Sequence, residues 1–456
     1  MARRARYGRP GKRLGYNGRR VAYRSGTSGF APVGPPRTIL APIDMPSLRP
    51  SPVPSHQRKL SATFKRFFES GKAGGIVLIL CTLVSLALAN SPAGPSWLGF
   101  WHLPVAGMSI EHWVNDALMA VFFLLIGLEL ERELYNGELS DLRNAMLPVL
   151  AAAGGIAVPA LIHFGLNGGT PTQAGVGIPM ATDIAFALGV LALLGNRVPA
   201  SLKIFLTALA VMDDLGAIIV IAVFYTAELS FLYLLGALAV FGLLLALNRI
   251  GRVMALLPYL AGGALMWFLM LKSGVHATIA GVLLAFAIPY SSREDDAASP
   301  SHRLEHALHK PAAFLILPIF ALANTGIVIN AGWAGELLTL NSLGIVLGLV
   351  VGKPVGIVLF SALAVLAGLC RLPLDLAWRH VLGAGLLGGI GFTMSIFITN
   401  LAYLGQPEVI NSSKMAILAA SLVAGLAGFA WLKLLGAPLA SDTDPETMDF
   451  EQEPAR

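Results

Sequence analysis

The chain has 456 residues, of which 55% are hydrophobic and only 13% charged, with a formal net charge of +6 and a mean hydropathy of +0.71. A soluble domain carries about 25% charged residues. A single water-facing globule is therefore excluded, and the apolar sequence belongs in a membrane. The positive charge is a property of one end. Residues 1–66 hold fifteen Lys and Arg against the single acid Asp44, residues 441–456 hold six acids against Arg456, and the stretch between is slightly acidic. This distribution speaks for membrane topology or anionic lipid head groups and against nucleic-acid binding.

The start, "MARRARYGRPGKRLGYNGRR", has no apolar core and does not read as a secretory signal. Residues 1–66 are expected to be a basic, disordered cytoplasmic tail, with Met45 as an alternative start; 67–436 to be the membrane domain; and 437–456 an acidic cytoplasmic tail. Cys81 and Cys370 lie in separate apolar runs and form no disulfide or metal pattern.

About twelve apolar spans follow, at 73–90, 113–135, 146–167, 176–195, 204–226, 230–247, 253–271, 275–289, 311–330, 341–366, 380–403 and 413–435. Each is close to the roughly 20 residues that a bilayer requires, with 275–289 short. Continuous apolar runs exclude a β-barrel, whose strands alternate. The fold class is thus an all-α polytopic membrane protein. With the N-terminus inside, the cytoplasmic connections hold Arg143, Arg197, Lys203, Arg249, Arg252, Arg293, Arg303, Lys310, Arg371 and Arg379, and the outer ones little beyond Lys272 and Lys414. That asymmetry predicts both termini in the cytoplasm. The polar stretch 291–310, "SSREDDAASPSHRLEHALHK", reads as a linker between two halves.

Two spans are punctuated. One, 175–195, carries Gly177, Pro179 and then Thr182–Asp183; the other, 383–399, is "GAGLLGGIGFTMSIFIT". One Gly/Pro-interrupted segment in each half points to discontinuous helices in an inverted-repeat transporter.

Four ionisable groups lie well inside apolar spans: Asp183, Asp213, Asp214 and Lys353. A buried charge must be paired, neutralised or hydrated. Lys353 can pair with one acid. Asp213 and Asp214 project about 100° apart on a helix, so one can face Lys353 while the other faces a water-filled cavity. Two neighbouring carboxylates cannot both ionise cheaply without a cation. Na⁺ and H⁺ then compete for the same oxygens, and such competition is a mechanism of exchange. Asp183 is placed to offset half-helix N-termini, with Thr182 a further oxygen ligand. His276, at a span end, reads as a packing residue. The helical spacing of His302, His306 and His309 is no metal signature on its own.

The strings "NDALMAVFFLLIGLELERE" (115–133), "ATDIAFALGVLALLG" (181–195), "FLTALAVMDDLGAIIVIA" (205–222), "LKSGVHATIAGV" (271–282), "VGKPVGI" (351–357) and "GIGFTMSIFI" (389–398) closely resemble the NhaA-type Na⁺/H⁺ antiporters, in order, over residues 60–435. The resemblance implies about twelve spans, inverted-topology repeats and two broken crossing helices. It implies electrogenic, pH-regulated export of Na⁺ or Li⁺ against inward protons, without a cofactor, in a bacterial inner membrane and as a homodimer. Asp214 would be the main ion and proton carrier. Asp213 would pair with Lys353 and release it during the cycle, and Asp183 with Thr182 would form the polar break. It also implies a pH-sensing cluster at Glu129, Arg132, Glu133, Glu305, His306 and His309; read without it, these residues form a solvated amphipathic stretch.

Two rival readings compete. A sodium-coupled solute symporter of related fold needs a larger organic-substrate cavity. An intramembrane aspartyl protease needs Tyr-Asp and Gly-x-Gly-Asp settings, and neither string occurs. One departure from the family pattern generates a prediction. Glu131 stands where the family usually has a basic residue, which makes "ELERE" more acidic. Glu131→Lys is expected to preserve exchange but shift its pH profile between about pH 6 and 9; superimposable profiles would remove that idea.

Overall fold

The protein is described here by a computed structural model covering residues 62–435, except 141, 227–228 and 292–298. Of the expected tails, 1–66 and 437–456, the second lies outside the described residues and so does the first up to residue 61, while 62–66 already belong to the first helix. No water is available to backbone amides inside lipid, so each apolar run closes its own hydrogen-bond ladder as a helix.

In chain order these are α1 (Ala62–Ala89), a short α2 (Gly94–Trp101), a hairpin of β1 (Pro104–Val105) and β2 (Met108–Ser109), α3 (Ile110–Tyr135) and α4 (Leu142–Asn167). A 3₁₀ segment, Gln173–Met180, precedes α5 (Ile184–Leu193). Then come α6 (Ala200–Phe224), α7 (Phe231–Arg249), α8 (Leu256–Ser273), α9 (Ile279–Ala287), α10 (Pro300–Asn324) and α11 (Leu340–Leu366). The chain ends with α12 (Trp378–Gly388), α13 (Phe392–Ala402) and α14 (Pro407–Leu434).

Among the described residues nine spans are long and apolar enough to cross alone, and two bent pairs bring the number to eleven. One pair, α12 with α13, is bent by 46° and is a single broken span. The other, α1 with α2, turns by 119°, so α1 crosses and α2 does not continue it. The remaining expected span, 275–289, contains only the nine-residue α9. At about 1.5 Å per residue α9 is too short to cross as helix alone. Gly274 closes α8 with φ of 84°, a turn at His276–Thr278 leads into α9, and extended chain follows from Ile288.

The linker expected at 291–310 is only partly a linker. Its second half, from Pro300, is already helical and continues through a π-turn at Ala312–Ile316 into α10. Proline is at home in the first turn of a helix, where its missing N–H costs nothing. The polar half of α10 therefore extends the span instead of separating two halves.

α4, the broken span and α6 form one unit of three; α11, the broken α12–α13 and α14 form another. The units meet along α4 and α11. A Cβ at Gly344 would meet His163 and Asn167; at Gly348, Pro159; at Gly352, Pro159 and Ile162; at Gly356, Gly154. Numbers rise on one helix as they fall on the other, so α4 and α11 are antiparallel and the units have inverted topology. The approach is closest at Gly154 and Gly356. A Cβ on Gly356 would lie 2.1 Å from the Gly154 carbonyl oxygen, and one on Gly154 2.2 Å from that of Gly356. Small residues allow such backbone contact in membranes.

Gly356→Val is accordingly expected to cost about 1–3 kcal/mol or more by overpacking against backbone. A lower Tm in detergent and less inserted protein should result. Gly165→Ala, where nothing lies within 4 Å of the added carbon, should leave both unchanged.

Candidate ion site and charged cluster

The two broken spans meet at their breaks. Pro179 cannot donate to a helix ladder, and Asp is a favoured N-cap. The helix accordingly stops at Met180 and restarts after Asp183. Asp183 Oδ1 accepts from the Phe186 amide at 2.9 Å, capping α5. Its Oδ2 accepts from the Thr393 amide at 3.1 Å and the Thr393 hydroxyl at 2.6 Å, in the first turn of α13. Its own amide donates to the Ile390 carbonyl at 2.7 Å, and Ser395 Oγ donates to the Ile178 carbonyl at 2.7 Å. One carboxylate thus serves two half-helix N-termini, whose partial positive charges would otherwise face lipid.

Asp213, Asp214 and Lys353 are all fully buried beside this crossing. A π-turn at Gly348–Gly352 immediately precedes Lys353 and widens α11 there; such turns often mark functional positions. Lys353 Nζ is paired with Asp213 Oδ2. The Thr182 hydroxyl lies 2.7 Å from the same oxygen and 2.8 Å from the Gly388 carbonyl, and its one proton serves one of them at a time. Asp213 Oδ1 and both oxygens of Asp214 are buried and find no hydrogen-bond donor among the described residues.

The three acids therefore differ in what they can still do. Asp183 is saturated by donors. Asp213 is half engaged. Asp214 is without a donor on both oxygens among the described residues, and so is Asp213 Oδ1. Bare carboxylate oxygens are the donor type that a hard monovalent cation or a proton takes.

The charged cluster lies one helical stretch away, where α3 ends and α10 begins. Arg132 donates from Nη1 to Glu305 Oε1 at 2.8 Å and from Nη2 to Glu133 Oε1 at 2.9 Å. His309 lies 3.5 Å from Glu129 and 3.6 Å from Glu305. The structure brings together Glu129, Arg132, Glu133, Glu305 and His309. His306 is exposed and outside these contacts. Glu131 is buried and accepts from Ser301 Oγ at 3.2 Å.

Several partners were invisible in sequence. Thr393 and the Gly388 and Ile390 carbonyls come from a run that reads only as glycine-rich. His276, expected to pack, also sits 3.4 Å from Asp116, which accepts from His112 at 2.9 Å. Only the His112–Asp116 spacing of four residues hinted at that contact.

A buried ion pair costs most when half of it is removed. Lys353→Ala is expected to lower stability by about 3–5 kcal/mol. Adding Asp213→Asn to it should recover a large part of that loss in a thermal-shift measurement. Additive losses would mean that the pair is not coupled.

Residues 65–432 match the family described as Na⁺/H⁺ antiporter 1. The relative from Dechloromonas aromatica, a Na⁺/H⁺ antiporter NhaA, is 75% identical over 82% of this chain and 97% of its own length. The one from Cytophaga hutchinsonii is 58% identical over 85% of this chain and 100% of its own. That from Mesorhizobium japonicum is 50% identical over 86% and 98%. None of these relatives is a solute symporter by name. The membrane fold, the crossing of two broken spans and these likenesses agree: this multi-pass chain belongs to the Na⁺/H⁺ antiporter family.

Proposed function

We propose that the chain exchanges Na⁺ or Li⁺ for H⁺ across a bacterial inner membrane, with Asp214 as the carrier. The observation that supports this most directly is the uneven use of carboxylate oxygens. Only Asp214 and one oxygen of Asp213 remain without donors at the crossing. A cation held there neutralises two acids at once. A proton on Asp214 removes the charge that held the cation, so the ligands exclude one another.

Lys353 couples the two states. While Asp213 is paired with Lys353, it offers the ion a single oxygen. When the cation draws on Asp213, the ammonium loses its partner and must shed a proton or find another acid. This gives a second proton a place in the cycle, which supports electrogenic exchange. Asp183 and Thr182 position the crossing, with Thr182 able to turn its oxygen toward an ion.

The face at which α3 ends, the Arg132 face, is read as cytoplasmic. Arg197, Lys203, Arg249, Arg252, Arg303, Lys310, Arg371 and Arg379 belong to connections or helix ends on it, against Lys272 and Lys414 at the other end. The cluster of Glu129, Arg132, Glu133, Glu305 and His309 then samples cytoplasmic pH. A homodimer belongs to the same reading: the exposed β1–β2 hairpin offers unpaired strand edges to a second copy.

The test is dissipation of a preformed ΔpH in vesicles on adding NaCl, LiCl or KCl. Na⁺ and Li⁺ are expected to collapse the gradient and K⁺ not. Asp214→Asn should be silent while remaining inserted. Normal exchange by Asp214→Asn would place the carrier elsewhere.

A further inference from the structure

The end of the molecule opposite Arg132, the Tyr403 face, holds a second polar network that the ion site does not use. Asn341 is its centre. Its Oδ1 accepts from the Tyr403 hydroxyl at 2.7 Å and from His163 Nε2 at 3.2 Å, and its Nδ2 donates to Ser413 Oγ at 2.8 Å. Asn167 Nδ2 donates to the Leu340 carbonyl at 3.0 Å, and Thr172 Oγ1 donates to Asn167 Oδ1 at 2.8 Å. The Tyr403 hydroxyl also lies 2.9 Å from the Thr172 carbonyl, so its proton is shared between two acceptors.

Three of these contacts join the two inverted units: His163 to Asn341, Asn167 to Leu340, and Tyr403 to Thr172. The network is dry. His163, Asn167, Tyr403 and Ser413 are fully buried. It is also tightly enclosed: a Cβ on Gly175 would lie 2.0 Å from the Tyr403 hydroxyl, and one on Gly344 2.8 Å from Asn167 Nδ2. The Arg132 face is built differently. There a small, largely apolar cavity of about 40 Å³ lies between α1, α3, α5 and α10, lined by Glu129, His309 and Ile184 among others. Ile184 is the residue after Asp183, so that cavity approaches the crossing. Side-chain contacts thus fasten the two units at the Tyr403 face, while the small cavity near the crossing lies toward the Arg132 side.

We propose that the Asn341 network is the latch of the gate at the Tyr403 face. It holds the two units together there while the ion site is accessible from the Arg132 face. It must part when the site turns to the Tyr403 face. The inference rests on the exchange reading, because only alternating exposure requires such a gate. The chemistry suits the task. Every bond in the network is to a neutral acceptor, so opening exchanges a protein partner for water at small net cost. A fully buried ion pair would resist that exchange far more strongly.

Tyr403→Phe keeps the ring and removes the hydroxyl that reaches Thr172 and Asn341. His163→Leu removes a different cross-unit bond and guards against a local folding defect in either variant. Full-length protein is reconstituted, and the KM for Na⁺ is measured from each membrane face separately. Loss of one latch bond should shift the population toward the state open at the Tyr403 face by about 2- to 10-fold. The KM from that face then falls and the KM from the Arg132 face rises, because apparent affinity scales with the competent fraction. A merely structural defect lowers the maximal rate or moves both values in the same direction. If the wild type exchanges Na⁺ for H⁺ but the two KM values move together or not at all in both variants, the latch is wrong. If the wild type shows no exchange, the function proposed above fails first.

Discussion

The structure depends on one constraint: a helix interrupted inside a bilayer leaves unsatisfied, partly charged ends where no water can reach them. The protein meets it by crossing two interrupted spans and tying their ends together. Asp183 is the tie. It accepts from the first turns of both α5 and α13, while its amide reaches the Ile390 carbonyl. Its charge is used up in that role. The crossing, in turn, brings Thr182 and the Gly388 carbonyl against α6 and fixes where Asp213 and Asp214 lie.

Once the ends are tied, the acids divide their labour without needing different chemistry. All three are aspartates in the same apolar setting. What separates them is the number of donors that the surrounding backbone and side chains supply. Asp183 has three, Asp213 has Lys353 and Thr182 on one oxygen, and Asp214 has none among the described residues. A carboxylate that is fully hydrogen-bonded is a structural anion. One that is bare and buried is unstable until a proton or cation arrives. The exchange proposed above rests on keeping one acid in the second condition and its chain neighbour half in it.

Much of this was legible in the sequence because charges in apolar runs are few. Asp183, Asp213, Asp214 and Lys353 stand out against leucine and alanine, and the punctuation at Pro179 and Gly388–Gly391 marks both breaks. What remained illegible was partnership. Thr393 looks like any membrane threonine until folding sets it against Asp183. The start of α10 at Pro300 was hidden because "HRLEHALHK" is polar by composition, yet Leu304 and Glu305 are buried against other helices. Hydropathy measures preference for lipid, and these residues face protein. Span 275–289, short already in the sequence, holds only a short helix because its residues pack closely against α3, where Gly127 meets Val282 and Ala285 and Gly281 meets Ala120 and Leu124.

The two membrane faces are fastened by different kinds of interaction, and the difference bears on control. At the Arg132 face the contacts are between ionisable groups: Glu129, Glu133 and Glu305 gather around Arg132 and His309. Their strength changes when a proton is gained or lost, because each pairing depends on charge. At the Tyr403 face, the contacts around Asn341 are amide, hydroxyl and carbonyl bonds with one neutral imidazole. Carboxylates that gain a proton stop competing for Arg132, so the first set loosens or rearranges as pH falls. The second set has no carboxylate to titrate. The join between the two units at the Tyr403 face is thus made without carboxylates, although His112, His276 and Asp116 form a charged contact elsewhere on that face. On the function proposed above, the cation crosses between a fastening whose pairings depend on charge and one that opens and closes with the transport cycle.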